Sequence, residues 1–388
     1  MRYVVVGGGV AGVTAAQRLR ALDPAASVVL VEAEAVPYYL RPGLIDVLAG
    51  AKGLGEITPY PREWFAKRGI DYRLGEAAIA LDLPRKEVVL SSGKRLPFDR
   101  LLLATGAEPV RPSVPGAALP GVFTLRTAAD AERIRTWAEG RRRAVVVGGG
   151  WLGLEAAYAL RGLLERVVVV ERGPWPLSRH LDREAGQILA DILSEKGVEV
   201  LPRTEAAAIR GGAAVSEVLL EGGQILPADL VLFCLGIRPR TALAQDAGIG
   251  VNRGVVVNDF LETSVPGVYA AGDAAEWRTQ IFGTVLAARE QAEVAAQNLV
   301  DPGSARYLGT RPTYKLKVAG IELFVFGASR PAGEFHSEER LQSQSCYAKL
   351  MLDKERKLVG AVLLGCPELA SRVEELFQSG LPVPRGLV

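Results

Sequence analysis

The 388-residue chain carries 46 basic and 44 acidic side chains for a net charge of +2, too balanced for a global field that captures nucleic acid or an anionic membrane. Apolar residues make up 49% and charged residues 23%, which excludes a disordered or fibrous chain and suits about two or three domains of ordinary size. Nowhere does an apolar run reach the ~18 residues of a membrane-spanning helix.

The chain opens on a β-branched run, Arg2–Val6, that breaks at once into Gly7-Gly8-Gly9-Val10-Ala11-Gly12; so brief an apolar stretch is no secretory signal. Residues 13–22 are rich in alanine and predict a helix, 28–31 predict a second strand, and Glu32 stands at its end. Strand, GxGxxG, helix, strand and an acid about 20 residues on form the dinucleotide fingerprint. The glycines let backbone reach a pyrophosphate, the positive end of the helix stabilises its charge, and the carboxylate accepts hydrogen bonds from a ribose. A single loop of this kind also occurs as a tight turn that binds nothing.

Residues 99–103 predict a further strand leading into Ala104-Thr105-Gly106. After the basic run 141–143, which reads as the solvated approach to a strand, the whole pattern returns. Strand 144–147 leads to Gly148-Gly149-Gly150-Trp151-Leu152-Gly153, then a helix through Leu164, strand 167–170 and Glu171. Two complete copies imply two dinucleotides, and two such nucleotides on one chain suggest electron transfer between a flavin and a nicotinamide. The apolar run 230–235 encloses Cys234, read as buried and inert. A helix is predicted over 284–299. In the tail, alternation at 315–318, 322–326, Tyr347–Leu352 and Leu358–Leu364 predicts strands before a helix at 367–378, an α+β cap. Cys234, Cys346 and Cys366 are too scattered for a CxxC or zinc spacing, so they read as reduced thiols without a disulfide, which fits the cytoplasm. His180 and His336 read as surface residues without a role.

Gly267-Val268-Tyr269-Ala270-Ala271-Gly272-Asp273, taken with Ala104-Thr105-Gly106, resembles the two-dinucleotide-binding-domain flavoproteins, whose ATG and GD segments return the chain to the FAD domain. Pro37-Tyr38-Tyr39-Leu40-Arg41-Pro42-Gly43-Leu44-Ile45-Asp46-Val47-Leu48-Ala49-Gly50 narrows the resemblance. It is similar to NAD(P)H:rubredoxin reductases and the flavin part of assimilatory nitrite reductases, within the pyridine nucleotide-disulfide oxidoreductase superfamily but without its redox disulfide. Leu125-Arg126-Thr127 with Asp130, Glu290-Gln291-Ala292 and the tail match the same group.

The resemblance implies FAD at Gly7, Gly9, Gly12, Glu32, Arg41, Ala78, Thr105, Gly106, Arg126, Asp273 and Thr284. Asp273 would bind the ribityl chain, its alternative being a cap on the next helix. Arg41 and Arg126 would donate planar forks to phosphate or ring edge, and Ala78, Thr105 and Gly106 would offer backbone only. Thr284 would start a helix whose positive end faces the flavin pyrimidine. NAD(P)H is implied at Gly148, Gly150, Gly153, Glu155, Glu171 and Gly236. Glu155 reads equally as a nicotinamide contact and as a first-turn helix acid. Glu171 favours NADH over NADPH, with Arg172 the residue that could turn toward a 2′-phosphate.

Disulfide-reductase branches place a redox cysteine shortly after the first ribose acid, and residues 38–50 contain none, which disfavours thiol mechanisms. Several ferredoxin reductases pair a lysine after RPxLS with the glutamate matched by Glu155; here Ile45-Asp46 stand in its place, so that ion pair is not expected. Hydride transfer between nicotinamide and flavin needs no proton from the protein, so no catalytic acid or base and no metal ligand is named. The reading is an α/β protein. An FAD domain spans 1–110 and 241–305, an NAD(P)H domain 111–240 is inserted in it, and an α+β domain spans 306–388. Electrons would leave to a small iron protein such as rubredoxin or a ferredoxin. The alternatives are an NADH oxidase or the flavin component of a nitrite reductase system, and a redox-sensing flavoprotein of the apoptosis-inducing-factor type.

Overall fold

The computed structural model describes residues 1–318, 320–327, 336–343 and 346–388, and the chain forms two compact units. The first comprises Met1–Gly43, Gly53–Glu108 and Ile237–Thr310. At its centre lies a five-stranded parallel sheet in the order Val268–Ala270, Arg100–Leu103, Arg2–Val6, Ser27–Glu32, Ile70–Leu74. Val5 stands level with Leu30 on one side and Leu102 on the other, and all three are fully buried. Central strands of a parallel sheet are covered on both faces, which is why Arg2–Val6 is a continuous apolar run rather than an alternating one. The helices Val10–Leu22 and Val285–Val300 pack against each other and bury mainly alanine, so their axes can approach closely. Among the described residues no helix is long and apolar enough to cross a membrane.

The second unit comprises Leu44–Lys52, Pro109–Gly236 and Arg311–Val388. It repeats the parallel arrangement, in the order Val198–Pro202, Arg166–Glu171, Arg143–Val147, Leu230–Phe233, Val122–Thr124. The helix predicted to run through Leu164 ends at Arg161. There the chain tightens, with Leu163 N–H on the Leu160 carbonyl at 2.9 Å, which satisfies a carbonyl of the last helical turn, while the Arg161 side chain holds the Leu164 carbonyl beyond the helix end at 3.0 Å.

The C-terminal part of this unit is a five-stranded antiparallel sheet in the order Thr313–Val318, Ile321–Gly327, Leu358–Leu364, Tyr347–Leu352, Ser337–Gln342. Helix Pro367–Ser379 covers it, its Val373, Leu376 and Phe377 packing with Phe326, Leu350 and Leu363. Proline opens this helix and Gly380 closes it at φ +65°, the asymmetry expected of a well-punctuated helix. The sequence reading missed Ser337–Gln342, whose residues SEERLQ are a charged edge strand without apolar alternation. Tyr347 Oη and Lys349 Nζ both donate to Asp182, at 2.8 and 3.1 Å, and Asp182 in turn caps helix Arg183–Glu195.

Two expectations fail here. Cys346 and Cys366 are not reduced thiols but form a disulfide, with Cα atoms 5.1 Å apart. Antiparallel register sets Tyr347 opposite Leu364, and this brings together the residue before one strand and the residue two beyond the other. His180 is not a surface residue but half-buried, edge-on to the rings of Trp151 and Tyr314 at 5.2 and 4.9 Å. Burial, then the charge of Arg179, lowers its pKa.

Candidate functional site

In the first unit, strand Arg2–Val6 runs into Gly7 at φ +107°. A Cβ on Gly7 would lie 2.1 Å from the Ala104 carbonyl oxygen, and one on Gly12 would lie 1.8 Å from the Gly7 carbonyl oxygen. These two glycines are required by the protein's own packing. Gly9 is different, since nothing lies within 4 Å of its Cβ position. Its missing side chain leaves open space at the start of a helix that has no side-chain cap and no acid in its first turn. Helices Ala128–Ala138, Arg183–Glu195 and Val285–Val300 are capped by Thr127, Asp182 and Thr284. An uncapped N-terminus behind a vacant glycine face presents orphan N–H groups and the positive end of the helix to an anion.

The second unit repeats this geometry. A Cβ on Gly148 would lie 2.4 Å from the Cys234 carbonyl oxygen, one on Gly153 would lie 1.9 Å from the Gly148 carbonyl oxygen, and Gly150 again faces open space. Helix Trp151–Arg161 likewise lacks a side-chain cap and a first-turn acid. Cys234 thus lies beneath the second loop as Ala104 lies beneath the first; it is half-buried rather than fully buried as expected, and the desolvation of its thiol pushes it up to about 12.

Each proposed ribose acid sits on its own loop. Glu32 accepts Gly8 N–H at 2.6 Å and Glu34 N–H at 2.8 Å, and burial raises its pKa. Glu171 accepts Gly149 N–H at 2.6 Å and Gly173 N–H. Around the first loop the parallel sheet gathers two further predicted segments at the carboxyl ends of its strands, where nucleotides bind in open α/β sheets. Ala104 N–H bonds to the Val6 carbonyl and Ala271 N–H to the Leu103 carbonyl. Thr105 Oγ1 donates to the Arg240 carbonyl at 2.8 Å, and Gly106 follows at φ +68°. Half-buried Asp273 lies in the turn Gly272–Ala274, and a Cβ on Gly272 would stand 3.0 Å from Ala11 Cβ on the first glycine-loop helix.

The remaining predicted residues are more scattered. Arg41 pairs with Glu34 at 3.4 Å and lies over the Tyr39 ring; Glu34, which also accepts from Tyr39 Oη at 2.8 Å, was not singled out in the sequence. Ala78 pairs with Leu90 in the antiparallel trio of strands Ala78–Asp82, Glu87–Leu90 and Arg95–Pro97. Thr284 Oγ1 accepts Ala287 N–H at 3.2 Å. Arg126, Glu155 and Gly236 belong to the second unit. Arg126 N–H bonds to Asp130 at 3.1 Å, Glu155 lies in the second glycine-loop helix beyond its first turn, so it is not a first-turn helix acid, and Gly236 adopts φ +94°. Asp46 pairs with Lys52 at 2.6 Å. Gln291, quoted from the sequence only as part of Glu290-Gln291-Ala292 and given no role, is 1% exposed; a polar residue in an alanine-rich helix carries no sign of which face it occupies.

Residues 1–292 match the pyridine nucleotide-disulphide oxidoreductase family, and residues 312–381 match the rubredoxin NAD+ reductase C-terminal domain. The chain is 33% identical over 371 residues to the assimilatory nitrate reductase electron transfer subunit of Bacillus subtilis, covering 94% of this chain and 47% of that protein. It thus spans about half the length of that relative. It is 34% identical over 375 residues to the biphenyl dioxygenase system ferredoxin–NAD(+) reductase component of Paraburkholderia xenovorans, covering 95% of this chain and 89% of that one. The crystal structure of NADH:rubredoxin oxidoreductase from Clostridium acetobutylicum superimposes with a TM-score of 0.79 at 27% identity, covering 98% of this chain and 96% of that one. The twin uncapped glycine loops and these matches place the chain in the pyridine nucleotide-disulphide oxidoreductase family.

Proposed function

We propose that the protein is an FAD-dependent NAD(P)H oxidoreductase that passes electrons to a small iron protein of the rubredoxin or ferredoxin kind. The observation that carries this reading is the duplicated loop in which the first and third glycines are demanded by packing and the second faces open space. That pattern fits two pyrophosphates, one per unit. FAD held at the first loop would supply the chemistry that converts a two-electron hydride from nicotinamide into single electrons.

In the first unit, Gly7, Gly9 and Gly12 shape the loop, the N-terminus of Val10–Leu22 stabilises the pyrophosphate charge, and Glu32 accepts from the ribose. Asp273 would hold the ribityl hydroxyls, and Thr105 and Gly106 would give backbone contacts. Gly148, Gly150, Gly153 and Glu171 would act in the same way on NAD(P)H in the second unit, with Gly236 and Glu155 beside them. Arg41, Arg126, Ala78 and Thr284 complete the proposed FAD set. In this reading the domains would be 1–110 with 241–305 for FAD, 111–240 for NAD(P)H and 306–388 for the C-terminal domain, and the protein would act in the cytoplasm. Residues 38–50 supply no thiol, and the disulfide lies in the C-terminal sheet of the second unit. The proposed electron release is accordingly assigned no cysteine.

The deciding experiment is steady-state NADH oxidation with purified rubredoxin, a [2Fe–2S] ferredoxin or oxygen as acceptor. Either iron protein is expected to accelerate turnover well beyond oxygen. Oxygen serving as well as both would replace this reading with that of an oxidase.

A further inference from the structure

Adjacent residues of helix Val285–Val300, Glu290 and Gln291, each carry a hydrogen bond outside the glycine loops, and that of Gln291 ends on the backbone of the turn Gly272–Ala274. Thr310 Oγ1 donates to Glu290 Oε2, and Tyr307 Oη is bonded to Thr310 Oγ1. Gln291 Oε1 accepts Gly272 N–H at 2.8 Å. Gln291, Tyr307 and Thr310 are all buried.

Thr310 Oγ1 spends its single proton on Glu290, so it accepts from Tyr307. Gln291 Oε1 faces Gly272 N–H, which fixes the orientation of an amide whose two ends are otherwise interchangeable. Gly272 stands at φ +76° with Ala11 Cβ 3.0 Å from its Cβ position. The turn is thus confined by the first glycine-loop helix and tied by the glutamine.

We propose that Gln291 is a positioning residue for the flavin site, holding the turn so that the Asp273 carboxylate meets the ribityl hydroxyls. The proposal rests on the assignment of Asp273 as the ribityl-binding acid. Without the tie, the turn that carries Asp273 would lose one buried anchor, and the entropy of ordering it would subtract from FAD affinity.

The test is titration of the full-length apoprotein with FAD, followed by flavin fluorescence, for wild type, Gln291→Leu, Asp273→Asn and the double variant. Gln291→Leu is expected to weaken binding about tenfold, the range of one buried hydrogen bond. In the Asp273→Asn background the same change is expected to cost less than about twofold, because the glutamine acts through the aspartate. Equal weakening in both backgrounds, or unchanged affinity in Gln291→Leu, overturns the proposal. Should Gln291→Leu not fold, Gln291→Met removes the acceptor oxygen yet keeps the unbranched length of the side chain. It is expected to weaken FAD about tenfold, with the same dependence on Asp273, and equal weakening in both backgrounds again refutes the idea. Wild-type apoprotein that takes up no FAD would instead remove the flavin assignment on which the proposal stands.

Discussion

Replacing a loop glycine by alanine separates what the fold needs from what the ligand needs. At Gly9 the backbone has φ −74° and ψ −171°, a region alanine adopts freely, and nothing lies within 4 Å of the new methyl. The reduced entropy of the unfolded chain favours Gly9→Ala by ~0.4–1 kcal/mol. Alanine's poorer performance at a helix N-cap costs a similar amount, so stability should change by less than ~1 kcal/mol. The methyl, however, occupies the space through which a phosphate must approach the helix N–H groups. Losing two charge-assisted hydrogen bonds of ~1.5–3 kcal/mol each removes at least ~3 kcal/mol, roughly a hundredfold in FAD affinity. Gly12→Ala is the contrasting case, because its methyl would sit 1.8 Å from a backbone oxygen and the loop itself must move, at ~1–3 kcal/mol or more. The assay is the ratio of flavin to protein absorbance, alongside thermal unfolding of the apoprotein. A Gly9→Ala protein that binds FAD as tightly as wild type would refute the anion-cradle reasoning. One destabilised as much as Gly12→Ala would show that Gly9 serves the fold instead.

Three further outcomes are expected. Steady-state kinetics should show NADH preferred over NADPH by about tenfold in kcat/KM, as one unfavourable charge contact allows; Arg172 is exposed and lies 3.6 Å from Glu205, Glu171→Ala should narrow the preference, and equal use of NADPH would show that Arg172 dominates. Serine at both Cys346 and Cys366 should lower stability by about 3 kcal/mol, the loop-closure value for a cross-link of this span, while turnover per bound flavin stays unchanged; lost turnover in a folded variant would reinstate a thiol mechanism. Hydrogen bonds from Arg278 and Arg306 hold the Asp259 carboxyl down to about 2. Its contribution is therefore fully present above ~pH 4 and lost as the pH falls through about 2, so Asp259→Asn should flatten the acid limb of an unfolding titration, and an unaltered limb would count against the pairing.

Both parallel sheets and their glycine loops were legible in the sequence, because strand, loop, helix and acid follow one another within short stretches governed by local geometry. A β-branched run buried on two faces and a glycine wherever backbone meets backbone are constraints that each residue carries by itself. That holds for Gly7 under Ala104 and for Gly148 under Cys234 alike. What the sequence could not contain were features set by the pairing of distant segments. Cys346 and Cys366 meet only through antiparallel register, and SEERLQ becomes a strand only because Tyr347–Leu352 lies beside it. His180 gains its burial from Trp151 and Tyr314, residues that precede it by 29 and follow it from another sheet. Gln291 is one polar residue among several on its helix until the turn at Gly272 comes within hydrogen-bonding distance. Local propensity and close approach are written residue by residue, whereas register and the orientation of buried amides exist only once the chain has closed on itself.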